Sequence, residues 1–406
     1  MLQQKFSPNK VIFLTQYFYP ELNSTAQLLY ELAIDLIDKG LKITIYAKYP
    51  DKWPDKISRT FQKNLTVHWI KTTSFPKRLF WGRSINYAIF FIRLVMKTCF
   101  SSKKGKILVL SSPPFLPILA FLLNRIKRQR YIYLVHDLYP DVAVKLGFLK
   151  NNGLIEKLWV RFNRLLIKHA DKVIVLDKSM QNKIEQYTAL CDKNKLVIIP
   201  NWADGDFVKP ISKDENPLIK KLGLENKFII MYAGNFGLTH NLEIFLQVAK
   251  CFMNTNVVFL FIGEGAKKKK MIEMMKQENI SNVRILPYFD RELLPFSLAI
   301  ADIHLIVLDK GFNGLSVPSK IYNILASGRP ILAALEKGGE IEKIINLAQC
   351  GRLVAPDNLK EIEFAISCML RDPDKNTQMG LRAREYFEKY YDRKKITNQY
   401  FQLLSD

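Results

Sequence analysis

Short apolar, β-branched runs alternate with helix-period segments along this 406-residue chain, and the alternation breaks once near its middle. In the first half the strand-like runs are residues 11–17 (VIFLTQY), 43–48, 67–72, 107–112, 131–137 (YIYLVHD), 172–177 and 195–201. Between them lie segments such as TAQLLYELAIDLIDKG (25–40), where Leu28, Leu29, Leu32, Ala33, Leu36 and Ile37 form one apolar stripe that Gly40 ends. The segment 154–170 behaves alike. Residues 201–216, WADGDFVKPISKDENP, read as a linker. Alternation then restarts with runs at 228–235, 257–265, 283–289, 302–308, 330–335 and 351–356, followed by a long charged helical stretch from Thr377 to Leu404.

Strands separated by helices imply parallel sheets covered on both faces. Two such series predict an α/β protein of two doubly wound domains facing across a cleft. The expected division is residues 1–202 as one domain and 203–385 as a second. A C-terminal helix, 386–406, is expected to pack back toward the first domain. Ligands in such sheets bind outside the carboxyl ends of the strands.

Apolar residues make up 48% and charged residues 24%, enough for two cores and wrong for a disordered chain. Cys99, Cys191, Cys251, Cys350 and Cys368 are scattered with no metal-ligand spacing, which predicts buried free thiols in a reducing compartment. The start, MLQQKFSPNK, does not read as a signal peptide, and no run reaches the ~20 apolar residues of a spanning helix.

The net charge of +23 is uneven. Residues 1–200 hold 33 Lys and Arg against 13 Asp and Glu, the remainder 28 against 25. Residues 56–136 contain sixteen basic residues and no acid, interleaved with FPKRLFWGR, INYAIFFIRLVMK and FLPILAFLLNRIKRQR. A solvated basic face and a nucleic-acid surface are both compatible with this pattern, although no nucleic-acid module is recognisable. An anionic bilayer is preferred, because Lys and Arg near such a surface contribute about 1 kcal/mol each and aromatics settle among the headgroups. Lys77, Arg78, Trp81, Arg83, Arg125, Lys127, Arg128 and Arg130 are the expected membrane-facing residues.

The strongest local signal is KGFNGLSVPSKIYNILASGRP (310–330). A Gly-containing loop leads through Pro318, expected at the first helical position, into an amphipathic helix ending at Gly328. Its free N–H groups, the Ser316 and Ser319 hydroxyls and the Lys320 charge together make a phosphate seat. Ordinary helix capping accounts for the same pattern. No GxGxxG follows any strand, which disfavours hydride transfer. Asp204 and Asp206 of the linker read as a structural turn, and the KKKK run (267–270) as a solvated helix start.

The segments VPSKIYNILASGRPIL, YAGNFG, FIGEG, LPYFDRELLP and EIEKIINLAQCGRLVAPDN resemble the nucleotide-binding half of glycosyltransferase family 4. YFYPELNSTAQLLYELAIDLIDKG and LVHDLYPDVAVKLG are similar to its acceptor half, and bacterial O-antigen and capsule transferases, including fucosamine transferases, are the nearest in flavour. The resemblance implies a GT-B fold, a nucleotide-sugar donor, retention of anomeric configuration and no required metal or other cofactor. It implies that His136, with Asp137, reaches the donor sugar and the reacting phosphate. Gly234 and Gly263 would let backbone approach the nucleotide, with Asn235 and Glu264 beside them, and Tyr288 would mark the base. Glu21, Ser24 and Thr25 would serve the acceptor side. Two departures stand out. Asn235 and Asn241 occupy places where the family commonly has an Arg and a Lys, and Leu315 and Asn323 occupy those of its two glutamates. Phosphate binding therefore falls to Lys320 and backbone N–H groups, and Asn323 keeps a hydrogen bond for a ribose hydroxyl.

The expected activity is sugar transfer from a UDP-sugar, such as a UDP-N-acetyl-deoxyhexosamine, to a polyprenyl-linked or glycan acceptor. The expected place is the cytoplasmic face of the cell membrane, in lipopolysaccharide or capsule synthesis. A non-hydrolysing nucleotide-sugar epimerase and a degenerate nucleotide-binding scaffold are the alternatives.

Overall fold

The computed structural model describes residues 9–21, 23–50, 63–72, 80–101, 105–187 and 193–405, without the side chains of 80–85, 187 and 193. Lys77, Arg78 and Cys191 lie outside the described residues, as do the side chains of Trp81 and Arg83. The chain divides into two units, residues 1–200 with 396–406, and residues 201–395.

Among the described residues the first unit holds seven parallel strands: β1 (Lys10–Leu14), β2 (Lys42–Lys48), β3 (Leu65–Ile70), β4 (Lys106–Leu110), β5 (Tyr131–Val135), β6 (Lys172–Val175) and β7 (Leu196–Ile198). Their order is β3-β2-β1-β4-β5-β6-β7, so the winding reverses between β1 and β4. The helices are α1 (Ser24–Asp38), α2 (Phe80–Cys99), α3 (Leu116–Lys127), α4 (Asp141–Lys145), α5 (Leu154–His169) and α6 (Lys178–Tyr187). In α1 the Asn23 side chain caps the Ala26 N–H at 2.8 Å, and Leu28, Leu29, Leu32, Ala33 and Leu36 are buried. Gly40, at φ +91°, turns the chain in the left-handed region after the helix, as its place in the pattern requires.

The second unit begins with α7 (Pro217–Lys221) and repeats the plan with β8 (Phe228–Ala233), α8 (Glu243–Lys250), β9 (Val257–Ile262), α9 (Lys268–Gln277), β10 (Val283–Leu286) and α10 (Leu294–Leu298). It continues with β11 (Ile303–Val307), α11 (Lys320–Ala326), β12 (Ile331–Ala334), α12 (Glu340–Ala348), β13 (Gly351–Val354), α13 (Leu359–Arg371) and α14 (Pro373–Tyr390), and α15 (Arg393–Ser405) starts here but belongs to the first unit from Ile396 onward. Its sheet order is β10-β9-β8-β11-β12-β13, all parallel, reversing between β8 and β11. Alternate residues feed opposite faces: Ile230, Tyr232, Phe259 and Phe261 join one core, Ile229, Met231, Leu260 and Ile262 the other.

Some expectations need correction. Apart from β2 and β3, the strands are shorter than their apolar runs, which continue into the loop beyond the strand's carboxyl end. The tail is two helices, α14 and α15, parted at Tyr391 and Asp392, rather than one. In the linker, Asp204 accepts from the Asp206 and Phe207 N–H groups and pairs with Arg393 at 2.8 Å, while Asp206 pairs with Lys394 at 2.6 Å, so both carboxylates fasten the start of α15. Lys267 and Lys270 both bind Glu243, so the lysine run is fastened in part. Cys350 is buried, but Cys251 is exposed. In α15, Asn398 accepts from Lys39 at 2.6 Å and the Leu403 carbonyl from Lys106 at 3.3 Å. Among the described residues no helix is long and apolar enough to cross a membrane.

Candidate active site

Where the winding of a doubly wound sheet reverses, the loops leaving two neighbouring strands part and open a crevice. In the second unit that place is the carboxyl ends of β8 and β11, and the sequence feeds it Gly234 and Asn235 directly after β8. Lys320, the first residue of α11, reaches the same place. Its Nζ sits 3.5 Å from the centre of the Tyr232 ring, and a Cβ built on Gly234 would lie 2.8 Å from it. The ammonium nitrogen is cut off from solvent and has no hydrogen-bond partner. Burial pulls its pKa well below the ordinary lysine value. A carboxylate partner would neutralise this cation and compete with an incoming anion; a ring face holds it without doing either. The ring is fixed in turn, since the Tyr232 hydroxyl donates to the Asn235 carbonyl at 2.7 Å.

His240 meets Tyr232 edge-on at 6.0 Å, with its Nδ1 buried and unpartnered. Burial first, then the nearby Lys320 and Lys267, lower its pKa to about 3, so the ring is neutral at neutral pH. Lys267 donates to the His240 carbonyl at 2.7 Å and holds Glu243 at 3.1 Å. A cavity of about 300 Å³ opens beside them, lined by Asn241, Glu243, Lys267, Lys270, Asp309, Lys310, Pro356 and Asp357. Its three lysines face three carboxylates, so it carries no net positive field. Tyr232, His240 and Lys267 were not singled out for the site from sequence. Tyr232 is an ordinary core residue by pattern, and only the β8/β11 junction turns its ring toward Lys320.

The remaining second-unit residues fall as follows. Pro318 precedes the first helical position rather than occupying it; Ser319 is the N-cap, and its side chain makes no capping bond. Ser316, Pro318, Ser319 and Asn323 are half-buried, whereas Leu315 is buried. Glu264 points its carboxylate at Lys268, 2.6 Å away, and accepts from the Phe236 N–H through its backbone. Tyr288 lies beyond the end of β10, 46% exposed, with its hydroxyl against the Glu264 backbone. Gly263 meets a packing requirement of its own. A Cβ there would lie 2.0 Å from the Gly234 carbonyl oxygen, so the glycine is required where two strand-end loops cross. Gly265 does the same against the Phe236 backbone, at 2.6 Å.

In the first unit the reversal lies between β1 and β4. Ser111, one residue past β4, accepts the backbone N–H groups of His136 (3.0 Å) and Asp137 (3.1 Å), pinning the end of β5. Burial lowers the His136 pKa to about 4 and raises that of Asp137 to about 6. His136 is therefore neutral at pH 7, with one ring N–H to donate and one lone pair to accept. Glu21, Ser24 and Thr25 stand at the carboxyl end of β1, around the start of α1. Glu21 accepts from the Asn23 amide at 3.3 Å and so supports the residue that caps the helix.

The basic residues at the end of α3 separate. Arg125 and Arg128 are exposed, and Arg130 pairs with Asp171. Lys127 does not face outward as expected; its ammonium donates to the Thr98 carbonyl at 3.0 Å and the Ser101 carbonyl at 2.7 Å, tying α3 to the end of α2.

Residues 25–207 match the family described as Glycosyltransferase Family 4, and residues 214–386 that described as Glycosyl transferases group 1. The chain belongs to glycosyltransferase family 4. Among its curated relatives, the probable glycosyltransferase WbjE of Pseudomonas aeruginosa is 30% identical over 63% of this chain. That match spans 64% of WbjE's own length. WcaI of Escherichia coli, assigned to colanic acid biosynthesis as a glycosyl transferase, is 29% identical over 69% of this chain and 68% of its own. In fold, this family 4 chain superposes on Anabaena Alr3699/HepE, solved in complex with UDP and glucose, with a TM-score of 0.75 at 16% identity, covering 98% of this chain and 99% of that one. Its two units are thus the two Rossmann-like domains of the GT-B architecture.

Proposed function

We propose that this protein is a retaining glycosyltransferase that moves a sugar from a nucleotide diphosphate sugar, a UDP-sugar, to a lipid-linked or glycan acceptor in bacterial surface polysaccharide synthesis. One observation carries the reading: an unpaired lysine ammonium at the switch point of the second sheet, seated on an aromatic face. The HepE complex with UDP and the polysaccharide assignment of WcaI support the donor and the pathway class. The anionic bilayer inferred from residues 56–136 is the surface at which we place the acceptor.

In this reading the bond between the anomeric carbon and the donor diphosphate breaks, its electron pair leaves with the nucleoside diphosphate, and the acceptor oxygen takes its place on the same face. The acceptor proton goes to the departing phosphate oxygen. An incoming diphosphate raises the pKa of Lys320, which then carries the full charge that stabilises the leaving group. Ser316 and Ser319 hydroxyls add donors. In the first unit His136, neutral and fixed through Ser111, offers an N–H to a sugar hydroxyl. No metal enters this reading.

The test is isothermal calorimetry with UDP followed by product analysis with a panel of UDP-sugars and a polyprenyl-linked acceptor. Binding with a sugar-linked product is expected. Epimerised nucleotide sugar formed without acceptor would overturn the transferase reading. A second reading, a nucleotide-binding scaffold, draws on Asn235, Asn241 and the buried Leu315 at positions where the family commonly carries charge; UDP binding without turnover of any donor would favour it.

A further inference from the structure

The helices on one face of the first sheet leave an apolar row uncovered. α3 packs against both α2 and α5. Phe121 of α3 meets Phe162 of α5 edge-on at 6.5 Å, and Phe115, just before α3, meets Phe91 of α2 at 5.4 Å. α5 buries Asn163, Leu166 and Ile167. Its outward side carries Leu154, Leu158 and Leu165, exposed by 74%, 58% and 37%. Steps of four and seven residues stack these on one line. A second line runs beside it: Lys157, Arg161, Arg164 and Lys168, all exposed, in steps of four, three and four. The helix's one acid, Glu156, falls on the opposite side and accepts from the Asn152 backbone N–H.

A water-facing helix side is normally polar. An apolar row flanked by a row of cations is instead what a helix needs to lie in the boundary of an anionic bilayer. The neighbouring helices continue the character. Ile92 and Met96 of α2, Phe100 just after it, and Ile126 of α3 are 57%, 50%, 90% and 68% exposed, among exposed Arg93, Lys97, Arg125 and Arg128. A second copy of the chain is a poorer occupant, because pairing this face with itself would bring two rows of like charge together.

We propose that α5, which lies outside the basic stretch singled out from the sequence, is the element that inserts into an anionic bilayer. Its three leucines enter the acyl boundary and its four cations engage lipid phosphates. The proposal rests on the membrane reading above and adds the inserting element.

The test is co-sedimentation of the full chain with vesicles of phosphatidylcholine alone or mixed with phosphatidylglycerol. Wild type is expected to sediment with the mixed vesicles and release at high salt. The double variant Leu154→Glu/Leu158→Glu should lower partitioning at least about tenfold, the ratio expected when leucine side chains leave hydrocarbon. Its melting temperature should hold, since both side chains are exposed. Leu381→Glu, on an exposed position of α14, should change nothing. Wild type that ignores anionic vesicles would remove the membrane reading and this proposal together. Wild type that binds while the double variant binds equally would overturn the α5 assignment alone. A wild-type dimer that Leu158→Glu splits, with vesicle binding untouched, would make the face a self-contact and overturn the proposal too.

Discussion

The two units of this chain wind their sheets in the same sequence, β3-β2-β1-β4 in one and β10-β9-β8-β11 in the other, yet furnish the reversal point in opposite ways. At the second reversal a cation is left without a countercharge while the lysines around it are paired, Lys267 and Lys270 with Glu243 and Lys310 with Asp357. At the first, a neutral histidine and a carboxyl are pinned by one serine hydroxyl, and the surplus of positive charge is spread over the unit's surface. One scaffold thus supports a focused charge in one copy and a diffuse one in the other. The contrast fits a donor anion held by a single seat and an acceptor carried on a broad charged surface.

The largest effect expected from breaking this contrast is on Lys320. Lys320→Ala should lower transfer by about a hundredfold to a thousandfold, the range for removing one preorganised group that faces developing charge, with the melting temperature held. Steady-state kinetics beside a thermal melt decides it; wild-type rates would dismiss the seat. Tyr232→Phe, which keeps the ring under the ammonium, should retain most activity.

Gly263→Ala should instead act on stability. The added methyl meets the Gly234 carbonyl at 2.0 Å in a backbone region closed to most residues, so a loss of about 3 kcal/mol or more is expected in denaturant unfolding. An unchanged midpoint would mean that the loops part easily.

In the first unit, Ser111→Ala strips two backbone N–H groups of their acceptor, at a cost of about 1–3 kcal/mol, and should disturb any activity that depends on His136. Activity and stability both unchanged would show that Ser111 does not hold this end of β5.

Acid should separate the units. The pKa of His240 and of His304 is lowered from 6.5 to about 3 by burial, and that of His136 to about 4. A lowered histidine pKa means the folded state binds fewer protons than the unfolded one, so its contribution is present above pH 6.5 and is lost as pH falls toward the folded value. Asp137, raised from 3.8 to about 6, works the other way and regains stability over the same descent. The second unit should therefore loosen first between pH 6.5 and 4, as hydrogen exchange resolved by region would read; earlier loss in the first unit would reverse the assignment. The smallest expected change is Lys127→Ala, which gives up two bonds between helix ends for about 1 kcal/mol and should leave vesicle binding in place.

Much of the site was legible because its chemistry is local in sequence. Lys320 stands beside a proline and two serines, and His136 ends an unbroken apolar run. Other parts were not. Lys127 reads as one more exposed cation of a basic stretch until its carbonyl partners at the end of α2 are seen. That packing alone requires a glycine at 263 is seen only when the crossing loop is placed against it. The leucines of α5 read as a core stripe, because a period of 3.6 says which residues share a side and not which side is covered.

The amino-acid order alone determined that this protein would be two parallel α/β units with a break near residue 201, since strand and helix periods are properties of neighbouring residues. Only the tertiary structure decided that Lys320 would lie over Tyr232, that Ser111 would hold His136 and that one side of α5 would be left bare. Each depends on which strands sit side by side or which helices cover them, and that is settled by packing across the sheet, where sequence spacing carries no instruction.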